Sequence, residues 1–333
     1  MTERDRVLRA LSHKQTDIVP YNLDLTDDVY NRLVKEFKDE KFYSKTGSHL
    51  AQERNESFTK LDDKHIKDMF GAIWLLDQEG DFGIVENCLL EEPNLNNYTF
   101  PEPDEKLIRE KCERLEKQTD KFRMYIIGFS MYERAWSLRS VEKILMDFIL
   151  EKDFVHELLT KIAEYNMKVV DIVSEYDIDC IFFGDDWGQQ KGLIMGPQIW
   201  REFIKPRRKE EYDYVKSKGM YVAQHSCGDI YDVFPDLVEI GMDIYNTFQP
   251  EIYDIRKVKK GFGNDITFYG GISTQNVLPF GTADEVRAQT RELMEVMGVN
   301  GGYICAPTHS IPNDVSTENI KAFLDIVQNQ KNK

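Results

Sequence analysis

The chain has 333 residues, 41% of them hydrophobic and 31% charged, a globular composition that excludes a disordered or fibrous protein. Its 43 Lys and Arg against 59 Asp and Glu leave a formal net charge of −16, a poor match to nucleic acid, whose phosphates are held by basic side chains. No apolar run reaches the roughly 18 residues of a membrane span. The opening MTERDRVLRALSHKQTD lacks the apolar core of a secretory signal, and five scattered cysteines do not make a disulfide framework, so a reducing, cytoplasmic setting is expected.

In chain order, residues 3–12 read as a short helix with Val7, Leu8 and Leu11 on one side, 18–23 as a strand, and 27–38 as an amphipathic helix. A Lys/Asp-rich stretch at 60–68 reads as exposed. Apolar runs at 72–76 and 83–85, joined by Asp77-Gln78-Glu79-Gly80-Asp81, predict a hairpin. EEPNLNNYTFPEPDEK, with its three prolines, predicts a surface loop leading into a helix. From residue 121 the pattern is regular. Short apolar runs at 124–129, 180–183, 220–223, 244–248, 266–269 and 303–306 alternate with helical stretches near 140–176, 197–217, 229–240, 253–260, 282–297 and 316–328. That alternation means a parallel α/β sheet, open or closed. We expect one domain over 1–333, with 1–120 as an N-terminal helical and hairpin elaboration that includes the first strand. No G-x-G-x-x-G follows a strand, so the dinucleotide-binding signature is missing.

Polar residues gather where strands end, as in a (β/α)8 TIM barrel. His225 and Cys227, two apart on an extended chain, share a face and offer nitrogen and sulfur to a Zn2+ ion; a packed cysteine and a hydrogen-bonded core histidine would look the same. Cys305 and His309 follow a later strand and are candidate third ligands. Of the adjacent Asp185 and Asp186 only one is expected in the pocket, as acid/base or substrate holder; the other reading is a helix cap or ion pair. Tyr21, Asp24, Trp187, Gly270 and Gly271 are candidate substrate contacts, although the glycines fit a tight turn equally well. Arg201, Arg207 and Arg208 could bind carboxylates or phosphates, but solvation or pairing with the excess acid is the favoured reading, and His13, His49, His65 and His156 read as surface residues.

These segments resemble the uroporphyrinogen-decarboxylase-like superfamily of TIM barrels. The resemblance rests on FFGDDWGQQKGLIMGPQIWREFIKPR, AQHSCGDIYDVFPDLVEIGMDIYNTFQP, ITFYGGISTQNVLPFGT and GGYICAPTHSIPNDVSTENI, with RDRVLRALSHKQTDIVPYN and WLLDQEGDFGIVENCLLEEP before them. The superfamily holds decarboxylases and cobalamin-dependent methyltransferases. The decarboxylases resemble each other in an arginine-bearing R-Q-A-G-R-Y-type stretch, which here reads Pro20-Tyr21-Asn22-Leu23-Asp24-Leu25 without arginine. The methyltransferases share the H-x-C of His225 and Cys227, and carry a cysteine in an A-P-G-C-G-I-like stretch where this chain has His309.

The resemblance therefore implies a zinc-containing methyltransferase of the O-demethylase type. It would move a methyl group between a small, methoxylated aromatic or otherwise methylated substrate and a corrinoid (methylcobalamin) held by a partner protein. A metal-free decarboxylase-like lyase is the alternative reading. The sequence leaves the oligomeric state open, a homodimer included.

Overall fold

The computed structural model describes residues 1–76 and 82–330. Helix α1 (Glu3–Leu11) begins at a capping box between Thr2 and Asp5, and α2 (Asp27–Phe37) follows it. Strand β1 (Leu50–Arg54) comes next. The short strands β2 (Phe58–Lys60), β3 (His65–Asp68), β4 (Ile73–Leu76) and β5 (Phe82–Val85) form a separate antiparallel sheet. After α3 (Glu105–Glu116) comes β6 (Phe122–Ile127), then three helices, α4 (Tyr132–Arg139), α5 (Val141–Leu150) and α6 (Lys152–Val173). Strand β7 (Cys180–Gly184) leads into a small hairpin of β8 (Gly188–Gln189) and β9 (Gly192–Leu193). Helices α7 (Gly196–Ile199) and α8 (Lys205–Ser217) are joined by a π-helical turn. The remainder alternates: β10 (Tyr221–His225), α9 (Phe234–Glu239), β11 (Ile244–Phe248), α10 (Ile255–Phe262), β12 (Thr267–Ile272), α11 (Val277–Phe280), α12 (Ala283–Met297), β13 (Tyr303–Pro307) and α13 (Thr317–Gln328).

The main sheet is parallel and curled, in the order β1-β6-β7-β10-β11-β12-β13. Residues 20–23 close it into a barrel. The Cys305 amide donates to Pro20 O at 2.8 Å, the Asn22 amide donates to Cys305 O at 3.0 Å, and the His49 amide donates to Tyr21 O at 2.9 Å. Burial on both faces explains the continuous apolar strands; every residue of β6 and of β11 is buried. Met124, Ile126, Phe182, Ala223 and Ile304 fill the interior, and Val7 and Leu11 join them from α1. Helix α1 therefore plugs the end where the strands begin, leaving the opposite end open for a site.

The six later strands lie where the apolar runs place them. The 72–76 and 83–85 hairpin forms as β4 and β5, while its connection, 77–81, lies outside the described residues. The stretch at 60–68 is not simply an exposed surface: β2 and β3 pair within it, and buried Asp68 takes Arg134 as a partner. Strand β1 escapes sequence reading because Leu-Ala-Gln-Glu-Arg carries no apolar run. Helix α4 escapes because it buries Arg134 and Arg139 beside Tyr132, Ala135 and Leu138 and so has no polar face. His49 is 1% exposed in the barrel wall, where burial drives its pKa down to about 4; it is not a surface residue. His13, His65 and His156 are part-buried: His13 bonds Gly263 O, His65 pairs with Asp62, and His156 stacks on Phe203. Among the described residues no helix is long and apolar enough to cross a membrane.

Buried Asp179, just before β7, accepts from Arg4 at 2.6 Å and from buried Arg123 at 3.2 Å, tying α1 to the sheet. Removing one partner of a buried pair costs more than the pair contributes, because the other charge stays desolvated. Asp179→Ala is expected to lower unfolding stability in urea by about 3–5 kcal/mol. Arg4→Ala, at a part-exposed partner, is expected to cost about 1 kcal/mol. Equal costs for the two would contradict this ranking.

Candidate functional site

The open end of the barrel holds a cavity of about 470 Å³. Its wall is built from the C-terminal ends of the strands: Asp24 after the closing segment, Arg54 at the end of β1, Gly128 after β6, Asp186 after β7, and His225 at the end of β10. Asn246, Tyr269 and His309 complete it from β11, β12 and the loop after β13.

At the end of β10 the alternation of an extended chain turns His225 and Cys227 to one face and buried Ser226 to the other. Ser226 Oγ accepts the Trp187 amide at 2.9 Å. The next residue, Gly228, has a φ of +76°, and a Cβ there would lie 2.3 Å from the Gly188 carbonyl carbon. Only glycine allows the two backbones to cross this closely, and the crossing fixes Cys227 in place.

Asn246 sets the His225 ring. Its amide nitrogen donates to Tyr269 O at 3.0 Å, which turns Oδ1 toward His225 Nδ1 at 2.6 Å. The Nδ1 proton is thereby committed, and Nε2 keeps its lone pair. Nε2 stands 3.6 Å from Cys227 Sγ and 3.4 Å from Asp186 Oδ1. Asp186 Oδ1 also accepts the Cys227 amide at 2.8 Å. These nitrogen, sulfur and oxygen donors all lie within 4.8 Å of one another. A tetrahedron with bonds of zinc length has edges of about 3.3–3.8 Å, so the donor spacing fits such an ion. Burial and the Asp186 carboxylate push the Cys227 thiol up, which only a bound cation would reverse. The ring of His309, at the exposed rim, stands edge-on to His225 with centroids 5.8 Å apart.

Other expected site residues lie elsewhere. Asp185 is fully buried outside the cavity; it accepts the Tyr132 and Glu133 amides at 3.0 and 2.8 Å and pairs with fully buried Arg208 at 3.2 Å. Its place is the N-terminus of α4, where a carboxylate satisfies free amides and meets the helix dipole. Trp187 is buried against Trp200, off the cavity wall. Tyr21 is buried with its hydroxyl donating to Thr46 O. Gly270 and Gly271 make room for the protein itself: a Cβ at Gly270 would meet Phe248 N at 3.1 Å, and one at Gly271 the Tyr303 hydroxyl at 2.7 Å. Cys305 belongs to the apolar layer between sheet and helices, whereas its neighbours Ile304 and Ala306 face the barrel interior. It therefore points away from His225. Of the three arginines, Arg201 pairs with Asp236, Arg207 with Glu210, and Arg208 with Asp185 and Glu211; none lines the cavity.

The sequence reading missed Glu133, Arg54, Glu56 and Asn246. Glu133 accepts the Asp186 amide, and burial, then the Asp186 and Asp185 charges, raise its pKa well above the usual carboxylate range. It lies in the first turn of α4 and not at a strand end, and went unseen with that helix. Asn246 is a polar residue inside an apolar run, a signal that was present. Arg54 and Glu56 went unseen with their strand.

Residues 74–330 match the family model described as uroporphyrinogen decarboxylase (URO-D). Among curated proteins, the chain is 21% identical over 191 residues to a methylated-thiol–coenzyme M methyltransferase of Methanosarcina mazei, covering 57% of this chain and 48% of that protein. It is 24% identical over 190 residues to the methylcobamide:CoM methyltransferase MtaA of Methanosarcina barkeri, covering 57% and 53%. The matches thus span about half the length of these relatives. A solved methyltransferase from Methanosarcina mazei superposes with a TM-score of 0.77 at 17% identity, covering 98% of both chains, which establishes the shared fold. With the family match running through more than half of its length, the chain belongs to the uroporphyrinogen decarboxylase (URO-D) family.

Proposed function

We propose that this chain is a zinc-dependent methyltransferase that moves a methyl group between a small methylated compound and a corrinoid carried by a partner protein. The observation that carries this reading is the meeting of His225 Nε2, Cys227 Sγ and Asp186 Oδ1, with His225 and Asp186 in the cavity wall. The transfer chemistry named for the two Methanosarcina relatives supports it. Zinc, when bound, supplies a Lewis acid that stabilises negative charge on the oxygen or sulfur that parts with the methyl group or receives it.

His225, Cys227 and Asp186 would give nitrogen, sulfur and oxygen, and a fourth position, beside His309, would stay open for substrate. Asn246 keeps the Nδ1 proton on the far side of the ring. Burial and the Asp186 and Asp185 charges raise the proton affinity of Glu133, which lies beside Asp186. Phe129, Phe182 and Tyr269 wall the cavity and limit water. Met146, Ile149 and Leu150 stand exposed on α5, in the connection between β6 and α6, and would offer a partner protein apolar surface.

Purified protein loaded with zinc is expected to hold about one ion per chain, measured by atomic absorption, and His225→Ala or Cys227→Ser to lose it. Asn246→Ala is expected to weaken zinc about ten- to hundredfold by freeing the ring. Asp185→Asn is expected instead to cost about 3 kcal/mol of stability while the zinc content stays unchanged, because Arg208 is left poorly paired in the interior. Mixing the zinc protein with a reduced corrinoid carrier and a panel of methoxylated, N-methyl and S-methyl compounds is expected to give methyl-cobalt(III) absorption with at least one donor, and none with Cys227→Ser. Absence of bound metal together with absence of methyl-cobalt(III) for every donor would refute the reading.

A further inference from the structure

The mouth cavity carries more acid than base. Asp24, Glu56, Glu133 and Asp186 line it, against Arg54 as its one guanidinium among the described residues. A bound metal would occupy Asp186, but Glu56 is left over. Its Oε2 is buried and accepts no hydrogen bond. Its Oε1 lies over Gly128, where a Cβ would fall only 1.8 Å away. On the next strand, a Cβ at Gly184 would lie 3.3 Å from the Gly128 Cα. Gly128 thus makes room for the Glu56 carboxylate and Gly184 for the Gly128 backbone, which lets Glu56 reach the cavity wall that Asp186 also lines. Phe58, Phe129 and Phe182 line the same cavity.

A carboxylate with an oxygen cut off from water and from protein donors is costly unless a cation meets it. Aromatic rings beside it favour a cation with a large, weakly hydrated surface, because the ring faces carry negative potential and the methyl groups of an alkylammonium are apolar. A small inorganic cation would gain nothing from the rings. A neutral aryl ether would leave Glu56 unpaired, and an organic anion would face both Asp24 and Glu56.

We propose that the small substrate of this site is a methylated organic ammonium compound, whose charged head lies in the cavity between the Glu56 carboxylate and the phenyl rings. The inference rests on the methyl-transfer reading, since it places the methyl groups of the head toward the His225–Cys227–Asp186 cluster. Arg54, exposed at the rim, is left to receive an acidic tail where the compound has one.

Calorimetric titration of the zinc-loaded protein with choline, tetramethylammonium and the neutral dimethylbutanol that replaces the nitrogen of choline by carbon tests this directly. Choline is expected to bind roughly tenfold or more tightly than its neutral isostere. Glu56→Gln is expected to bring the two to near equality while zinc content and affinity for the neutral alcohol stay unchanged, which general loosening of the pocket would not do. Equal binding of choline and its isostere, no millimolar binding of any ammonium compound, or preferential binding of a methoxybenzene or a benzoate that ignores Glu56→Gln would overturn the proposal. Failure here with intact metal binding and methyl-cobalt(III) formation from a neutral donor would leave the methyltransferase reading standing. Charge-selective binding without metal or methyl transfer would remove that reading and keep this one.

Discussion

The hydrogen bond from His225 Nδ1 to Asn246 Oδ1 is the constraint on which the site depends. A free imidazole can carry its proton on either nitrogen and can spin about its bonds. Here the Asn246 amide is itself held by Tyr269 O, a backbone group on the adjacent strand β12. The sheet thus dictates which nitrogen of His225 faces the cavity as a base. Because Cys227 follows two residues later on the same face, and the Gly188–Gly228 crossing forbids it to swing away, nitrogen and sulfur are presented together before any ligand arrives. Preorganised donors bind without first having to order themselves.

Two adjacent aspartates show how one chain segment serves both structure and chemistry. The backbone turns Asp185 outward and Asp186 inward. Asp185 meets the amides that open α4 and the buried guanidinium of Arg208, which in turn reaches Glu211 and Ser130. That network fixes the start of α4 and, through it, Glu133 beside Asp186. The outward carboxylate is therefore not a reactant, yet it positions one that is a candidate. A charge so fully buried is tolerated because two amides and a guanidinium meet it, and removing one would strand the others.

Much of the barrel was legible because buried parallel strands and amphipathic helices leave different periods in the sequence. What escaped were elements whose residues serve the site or a buried ion pair instead of an apolar core. Strand β1 alternates Leu50, Gln52 and Arg54 toward the interior; its polar half lines the cavity and erases the apolar run. Helix α4 hides two arginines, so it has no stripe. The same limit applies to the site. His225, Cys227, Asp186, Asp24 and His309 were readable as strand-end residues, and the structure brings them to one rim. The role of Asp186 as the third donor was not readable. Spacing offered Cys305 as readily as His309, and only side-chain direction, set by alternation along β13, sends Cys305 into the helix layer. For the two glycines of β12, an empty position reserved for a ligand and one reserved for Tyr303 look alike in sequence.

The central claim is that nitrogen and sulfur from the end of β10 and oxygen from the end of β7 grip a single Lewis-acidic ion at the barrel mouth. X-ray absorption at the zinc edge of the loaded protein tests it most directly. The account predicts a mixed shell, with one sulfur at about 2.3 Å and nitrogen or oxygen at about 2.0–2.1 Å, the sulfur vanishing in Cys227→Ser. A shell of nitrogen and oxygen alone in the unaltered protein, or a sulfur that survives in Cys227→Ser, would contradict it.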